Sequence, residues 1–175
     1  MIRDLLDSSR LQAGKKLSLK LEHFELTTLV RHTLEKLSVV HGDRFELEDG
    51  QPIYGYWDRE GVRRALENLV NNALKYGCPR ATVTVVLRQE NERVRLSVHN
   101  WGNPLSRDEQ LSLFKPFSRA RSAKLSGKKG WGLGLTLVQG VAQAHGGAVS
   151  VTSSESEGTT FTIDLPRDAR ASYNA

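Results

Sequence analysis

The stretch Arg64-Ala-Leu-Glu-Asn-Leu-Val-Asn-Asn-Ala-Leu-Lys-Tyr76 decides the fold, because its apolar residues recur at the spacing of a helix that packs against a core. Asn68 and Asn72 interrupt this pattern, and with Asn71 they place three asparagines within five residues. Asparagine costs about half a kcal/mol relative to alanine at each interior helix position. The sequence therefore predicts a buried helix whose asparagines serve a purpose other than folding.

The i, i+4 spacing places Asn68 and Asn72 on one face of the helix, and Lys75 is the next residue along that face. Amide oxygens are hard, neutral ligands that Mg²⁺ accepts when phosphate oxygens and waters complete its octahedron, and a lysine beside them suits a phosphate. The alternative is a solvated polar face with hydrogen bonds inside the helix. The helix alone does not decide between these two interpretations.

Length and composition predict one globular domain, because the chain has 175 residues of which 38% are hydrophobic. No apolar run approaches the roughly 20 residues that span a bilayer, and residues 1–4 lack the pattern of a signal peptide. The single cysteine, Cys78, excludes an internal disulfide and a thiolate metal site. We therefore expect a cytoplasmic domain that makes no contact with a membrane, while its parent protein can be anchored in one.

A basic segment accounts for the net charge of +5, because no Asp or Glu occurs between Glu109 and Glu155. The unopposed cations are Lys115, Arg119, Arg121, Lys124, Lys128 and Lys129. Basic runs are most often solvated faces and next most often nucleic-acid patches, but this one lacks the interleaved aromatic residues of a base-stacking surface. A polyphosphate ligand is the third interpretation. Residues 118–130 show no periodicity, which is typical of a functional lid.

Helical and period-two patterns alternate in blocks, which predicts an α+β fold: a two-layer α/β sandwich with a mixed, mostly antiparallel sheet packed on helices. The predicted strands cover residues 17–21, 45–47, 53–57, 81–88, 93–100, 148–153 and 159–165, of which the last four form two hairpins. The predicted helix caps are Thr27 or Thr28, Asp58, and Ser106, which opens a short helix to Phe114.

Three alternating glycines in Gly130-Trp-Gly-Leu-Gly-Leu135 stand directly before a predicted helix that ends at His145. The first turn of a helix offers free N–H groups and the positive end of the helix dipole, so this segment predicts an anion site. It is not a dinucleotide fingerprint, because no strand precedes it. Beyond the last strand, residues 167–175 are predicted to form a frayed tail.

Five segments in this order resemble the motifs of the catalytic, ATP-binding domain of sensor histidine kinases, in the Bergerat-fold (GHKL) superfamily shared with gyrase and heat-shock chaperone ATPases. They are residues 67–76 (N box), 98–105 (first glycine box), 113–117 (F box), 130–135 (second glycine box) and 158–161 (third glycine box). The resemblance implies a Bergerat-type ATP-binding fold with a mobile lid. The implied organisation is the end of a dimerisation helix at 1–14, a catalytic domain at 15–166 with the lid at about 103–130, and a C-terminal tail at 167–175.

The resemblance also implies roles for single residues. Asn72 is implied to ligate Mg²⁺ with support from Asn68, and Tyr76 to lie along the adenine. The implied catalytic residues are Asn68, Lys75, which holds phosphate, and Arg119, which reaches the γ-phosphate. The other nucleotide-binding residues that it implies are Asn100, Gly102, Pro104, Leu105, Phe117, Lys128, Gly130, Trp131, Gly132, Leu133, Gly134, Leu135 and Thr160.

Two residues of the first glycine box depart from the family pattern. Asn100 replaces the aspartate that accepts the amino proton of adenine, and Pro104 replaces a glycine. An amide oxygen still accepts from an amino group, but an amide nitrogen can equally donate to a guanine carbonyl. The departure therefore implies weaker discrimination between ATP and GTP.

The superfamily contains ATPases and kinases, and Asn68 favours a kinase. ATPase members carry at this position a glutamate that activates water, whereas an amide cannot accept a proton at neutral pH. The phosphoacceptor box is missing, because none of the histidines of the chain lies in a long helix and is followed by its acidic residue and proline. We therefore expect a catalytic fragment that binds ATP and Mg²⁺ but lacks the acceptor histidine. Its implied partners are its own dimerisation domain, in a homodimeric parent, and the receiver domain of a response regulator in a phosphorelay.

Three alternative functions stay open at this stage. An anti-sigma-factor-type serine kinase uses the same nucleotide site. A non-catalytic, nucleotide-dependent scaffold, or pseudokinase, fits the altered first glycine box. A nucleic-acid binder is the weakest alternative, and we expect no nucleic acid among the partners.

Overall fold

A computed structural model describes residues 17–115 and 134–173 of the protein. The strands in these two ranges are β1 (Leu21–Glu25), β2 (Phe45–Glu48), β3 (Tyr54–Asp58), β4 (Val83–Glu90), β5 (Arg93–Asn100), β6 (Ala148–Ser154) and β7 (Gly158–Pro166). The helices are α1 (Leu26–His41), α2 (Arg59–Tyr76), α3 (Arg107–Ser112), α4 (Gly134–Ala144) and α5 (Arg170–Tyr173).

The main sheet has the strand order β2-β4-β5-β7-β6, and β1 and β3 form a separate antiparallel pair. Only β2 and β4 run parallel within the main sheet, while its other neighbours are antiparallel. The two predicted hairpins are β4–β5 and β6–β7. The predicted α+β sandwich with a mixed, mostly antiparallel sheet is therefore confirmed.

The core lies between one face of the sheet and the helices. Alternate residues of β5 are buried, as period-two patterning requires, and α2 buries the apolar stripe that decides the fold. The buried residues of these two elements are Val94, Leu96 and Val98 on β5 and Val62, Ala65, Leu66, Leu69, Val70 and Ala73 on α2. Helix α2 also packs against α1 and α4, so it lies at the centre of the helical layer.

Helix α2 begins and ends where the sequence predicts. The carboxylate of Asp58 accepts a hydrogen bond from the backbone N–H of Gly61 at 2.8 Å, and the helix stops before Gly77. Ser106 also caps α3, in a capping box with Glu109, although α3 ends at Ser112 and not at Phe114. Local side-chain chemistry thus fixes both helix starts.

The prediction was wrong for the first strand and the first helix cap. Residues 17–20 form no strand, and β1 begins at Leu21 because it pairs with β3 across the whole of its length. Helix α1 follows directly after Glu25. Thr27 does not cap it, because its side chain is buried and its hydroxyl accepts a hydrogen bond from the N–H of Ile53 at 3.1 Å.

Residues 167–175 were predicted to fray, but the structure packs residues 167–170 against β3. The carbonyl of Arg167 accepts a hydrogen bond from the N–H of Tyr56 at 3.0 Å, and the N–H of Ala169 donates to the carbonyl of Tyr56 at 3.1 Å. Ala169 is fully buried, and the guanidinium of Arg170 stacks 3.4 Å from the centre of the Tyr56 ring. This segment therefore belongs to the fold.

His145 joins the end of α4 to the start of α2. It is fully buried, its Nε2 accepts a hydrogen bond from the N–H of Asp58 at 2.9 Å, and its Nδ1 lies 2.7 Å from the carbonyl of Val141. An acceptor at Nε2 and a donor at Nδ1 define the neutral ring. Burial lowers the pKa of His145 below its ordinary value, so the folded state disfavours the charged form.

We expect the protein to lose stability as the pH falls below about 6.5, the pKa of an unfolded histidine. The lowered pKa of His145 means that the unfolded state binds the proton first, so its contribution to stability is complete above that pH and declines between the unfolded and folded pKa values. The slope should approach about 1.4 kcal/mol per pH unit. Urea unfolding between pH 7.5 and pH 5 measures it.

His145→Gln should flatten this pH dependence, because an amide can donate and accept without titrating. The control is His32→Gln, which changes an exposed histidine of α1 and should keep the wild-type slope. A slope that persists in the His145 variant would assign the effect to another group.

Candidate functional site

The asparagine face of α2 is half-buried. Asn68, Asn72 and Lys75 are each partly covered, whereas Asn71, on another side of the helix, is exposed. The Nδ2 of Asn68 donates to the carbonyl of Arg64 at 2.8 Å, one helical turn back. This bond fixes the orientation of the amide and turns its oxygen away from its own helix.

The first residue of α4 lies directly against this amide oxygen. A Cβ added to Gly134 would lie 2.8 Å from the Oδ1 of Asn68, so a larger residue would displace this amide. Because an N-terminal helical turn offers N–H groups and positive potential, the contact joins an amide face to an anion-attracting helix end. Leu135 is half-buried and packs against the core, which anchors this end of α4.

Lys75 and Tyr76 lie at the other end of the asparagine face. The Nζ of Lys75 is 5.1 Å from the centre of the Tyr76 ring, in cation–π contact, and Tyr76 itself packs against the core. A positive charge and an aromatic ring therefore follow the two amides along α2.

A backbone junction ties the end of α2 to the end of β5. Gly77 and Gly102 form an isolated antiparallel bridge, and the N–H of Cys78 donates to the carbonyl of Trp101 at 2.6 Å. A Cβ on Gly102 would lie 2.9 Å from the carbonyl oxygen of Tyr76, so this position also needs glycine. The junction therefore places Gly102 beside Tyr76.

Asn100 ends β5 at this junction and is 7% exposed. Its Nδ2 donates to the carbonyl of Trp101 over 3.4 Å, a long hydrogen bond. Its Nδ2 also lies close to both junction glycines, Gly77 and Gly102. A buried amide thus lies between the end of α2 and the edge of the sheet.

The register of β7 distinguishes two adjacent threonines. Thr159 pairs with Asn100 and Thr160 with His99, so Thr159 shares the helix-facing side of the sheet with Asn100, and Thr160 is on the other side. Thr159 is buried, and its hydroxyl lies 2.7 Å from that of Ser153. The structure therefore places Thr159, and not the predicted Thr160, on the side of the sheet that carries Asn100.

The strand period in the sequence already distinguishes Thr159 from Thr160. Phe161 belongs to the core, and residues two apart on a strand share a face, so period two from Phe161 selects Thr159.

The segment that follows Gly102 is held by hydrogen bonds to β6 and α3. The N–H of Leu105 donates to the hydroxyl of Ser153 at 2.9 Å, and the amide of Gln110 donates to the carbonyl of Leu105 at 2.9 Å. Leu105 packs against the core, whereas Pro104 is exposed. Several predicted residues lie outside the described ranges: Phe117, Arg119, Lys128, Gly130, Trp131, Gly132 and Leu133, together with the predicted dimerisation helix at 1–14.

The carboxylate next to the asparagine face has another partner. Glu67 is ion-paired with Arg63, which also binds Glu60 at 2.5 Å, and both carboxylates raise the pKa of the guanidinium. Among the described residues, no three His, Cys, Asp or Glu side chains form a cluster that could hold a metal ion. No helix in the two described ranges is long and apolar enough to cross a membrane.

In this α/β sandwich, a helix with a half-buried amide face lies against the first residue of a second helix and beside the end of a mixed sheet. Residues 57–169 match the family described as histidine kinase-, DNA gyrase B- and HSP90-like ATPases, and the chain belongs to this family. The resemblance to histidine kinase catalytic domains is thereby confirmed.

Curated relatives agree with this assignment. The chain is 29% identical over 175 residues to the adaptive-response sensory kinase SasA of Synechococcus elongatus. The alignment covers 95% of this chain and 43% of that protein. It is 30% identical over 167 residues to the bacteriophytochrome of Pseudomonas aeruginosa. This alignment covers 95% of this chain and 23% of that protein. The chain therefore spans less than half the length of these relatives.

Solved structures show the same fold. The mycobacterial sensor histidine kinase MprB superposes with a TM-score of 0.72 at 29% identity, covering 84% of this chain and 97% of that one. Full-length ShkA, solved in complex with AMPPNP, superposes with a TM-score of 0.74 at 27% identity, covering 94% of this chain and 35% of that one.

Proposed function

We propose that this chain binds Mg·ATP and is the catalytic domain of a two-component sensor histidine kinase, which transfers the γ-phosphate to a histidine on a dimerisation domain. The observation that carries the proposal is the contact between the amide face of α2 and the N-terminal turn of α4 at Gly134. This contact places neutral oxygen ligands beside an anion-attracting helix end.

The residues of this face fit a magnesium-bound triphosphate. Asn72 and Asn68 would hold the metal through amide oxygens, and Lys75 would hold a phosphate. The hydrogen bond from Asn68 to Arg64 leaves the amide oxygen of Asn68 as the group turned outward. Bound Mg²⁺ supplies charge neutralisation on the phosphates, while the chain orients the nucleotide.

At the other end of the site, we propose that the Tyr76 ring lies along the base and that Asn100, Gly102 and Leu105 surround it. The solved complex of full-length ShkA with AMPPNP supports nucleotide binding by this fold. Arg119, Lys128 and the glycines before α4 are proposed to complete the phosphate site.

Two side chains favour phosphotransfer over hydrolysis. Asn68 is an amide and cannot deprotonate a water, and Glu67 is engaged by Arg63. The site therefore positions and neutralises a phosphoryl group without offering a base for water at this point of α2. We propose that the acceptor histidine, the homodimer and the response regulator belong to the parent protein, which works in the cytoplasm or at its membrane face.

The proposal is tested by mixing the purified chain with the histidine-bearing dimerisation domain of its parent and ATP labelled at the γ-phosphate. A histidine kinase should place acid-labile label on the added domain. Acid-stable label on a protein substrate would support a serine kinase instead. If the chain binds Mg·ATP and no label appears, the scaffold function is favoured.

A further inference from the structure

We propose that Asn100 lets the base-binding end of this site accept both 6-amino purines, such as adenine, and 6-oxo purines, such as guanine and hypoxanthine. The inference rests on the proposed nucleotide site and specifies its substrate class. It depends on the burial of Asn100, on its weak internal hydrogen bonding and on its place relative to the phosphate-binding residues.

Asn100 has more hydrogen-bonding capacity than the surrounding protein uses. An asparagine amide has two N–H donors and an oxygen that can accept twice. The hydrogen bond that its side chain makes to the described residues is the one to the carbonyl of Trp101, at 3.4 Å. Asn100 is 93% buried, and a ligand that reaches its amide can use the hydrogen-bonding capacity that the described residues leave unused.

The position of Asn100 suits the base of a nucleotide whose phosphates lie at Asn72. It adjoins Gly77, which is five residues beyond Asn72 and thus about 7.5 Å along the axis of α2. Tyr76 lies between these two points and offers an aromatic face. A nucleotide laid along α2 therefore brings the hydrogen-bonding edge of its base to Asn100.

The surroundings of Asn100 allow its amide to rotate. Gly77 and Gly102 flank it and have no side chains that could hold the amide in one orientation. The long bond to Trp101 holds one orientation only weakly. With the oxygen toward the ligand, Asn100 accepts from a 6-amino group, and with the nitrogen toward the ligand it donates to a 6-oxo group.

A carboxylate at this position would act differently. It only accepts hydrogen bonds when ionised, so it would repel the oxygen of a 6-oxo purine. The amide lacks this repulsive element. The breadth of specificity thus follows from one atom of one side chain.

The experiment measures the affinities of Mg·ATP, Mg·GTP and Mg·ITP for the wild-type chain and for Asn100→Asp by titration calorimetry. For the wild type we expect the three affinities to agree within about tenfold. For Asn100→Asp we expect the preference for ATP over both 6-oxo nucleotides to rise by at least about tenfold. ITP lacks the 2-amino group of GTP, so agreement between the two shows that the 6-position is decisive.

Asn91→Asp is the matched control, because it adds the same charge at an exposed residue between β4 and β5, at the opposite end of β5 from Asn100, and should leave the ratio unchanged. A wild-type preference for ATP of more than about tenfold would overturn the inference, and this ratio needs no variant. An unchanged ratio in a folded Asn100→Asp protein would also overturn it. Failure of the wild type to bind any of the three nucleotides would instead disprove the proposed function, and the inference with it.

Discussion

Replacing Asn72 with alanine is expected to weaken Mg·ATP binding about 30- to 100-fold, which corresponds to roughly 2–3 kcal/mol. In the proposed site this residue gives its amide oxygen to the metal, and alanine offers no oxygen. Since Mg²⁺ demands near-ideal octahedral geometry, a lost protein ligand must be replaced by a water that the chain does not position. Titration calorimetry with and without Mg²⁺ measures the effect.

The neighbouring residue provides a matched control. Asn71→Ala makes the same change one residue away, about 100° around the helix, at an exposed position. Its affinity for Mg·ATP should stay within about twofold of the wild type, since surface substitutions usually cost little. Without Mg²⁺ the two variants should bind ATP alike. Equal affinities for Mg·ATP would remove Asn72 from the metal site.

The helices and hairpins that position this site could be predicted because their signals are local. The apolar stripe of α2, its Asp58 cap and the glycine after it all lie within one stretch of sequence. The β4–β5 and β6–β7 hairpins follow from period-two patterns on either side of short turns. Asn68 and Gly134 could each be predicted as candidate site residues from their own stretches of sequence. Only the fold brings the two residues into contact.

The errors share a different origin, which is pairing between distant segments. Pairing with β3, more than 30 residues away, determines where β1 begins. The alternation of residues 17–21 therefore did not predict the start of the strand. Thr27 was predicted as a cap, but its hydroxyl accepts a hydrogen bond from the N–H of Ile53, 26 residues away. The period of two along β7 separates Thr159 from Thr160 in the sequence alone. Only the pairing of β5 with β7 shows which of the two threonines shares a face with Asn100.

The predicted fraying of the C-terminal segment is another of these errors, because Arg167 and Ala169 pair with Tyr56 of β3. This pairing gives the second prediction. Ala169→Glu is expected to lower the free energy of unfolding by about 3 kcal/mol. Ala169 is fully buried, so the new carboxylate must either stay in the core without a partner or force the segment off β3. Detachment is the cheaper outcome, and it limits the cost to the free energy of docking. That free energy comprises two backbone hydrogen bonds and a buried methyl group, together roughly 3 kcal/mol.

Ala171→Glu supplies the control, because it places the same side chain at an exposed position two residues further along the segment. A frayed tail would tolerate both substitutions equally, whereas a docked segment separates them. Urea unfolding should show the Ala169 variant destabilised and the Ala171 variant within about 0.5 kcal/mol of the wild type. If the two variants unfold together at the wild-type midpoint, the segment contributes nothing to stability. A difference between them would place the boundary of the folded domain beyond Pro166, because the contacts of Tyr56 with Arg167 and Ala169 would then be shown to stabilise β3.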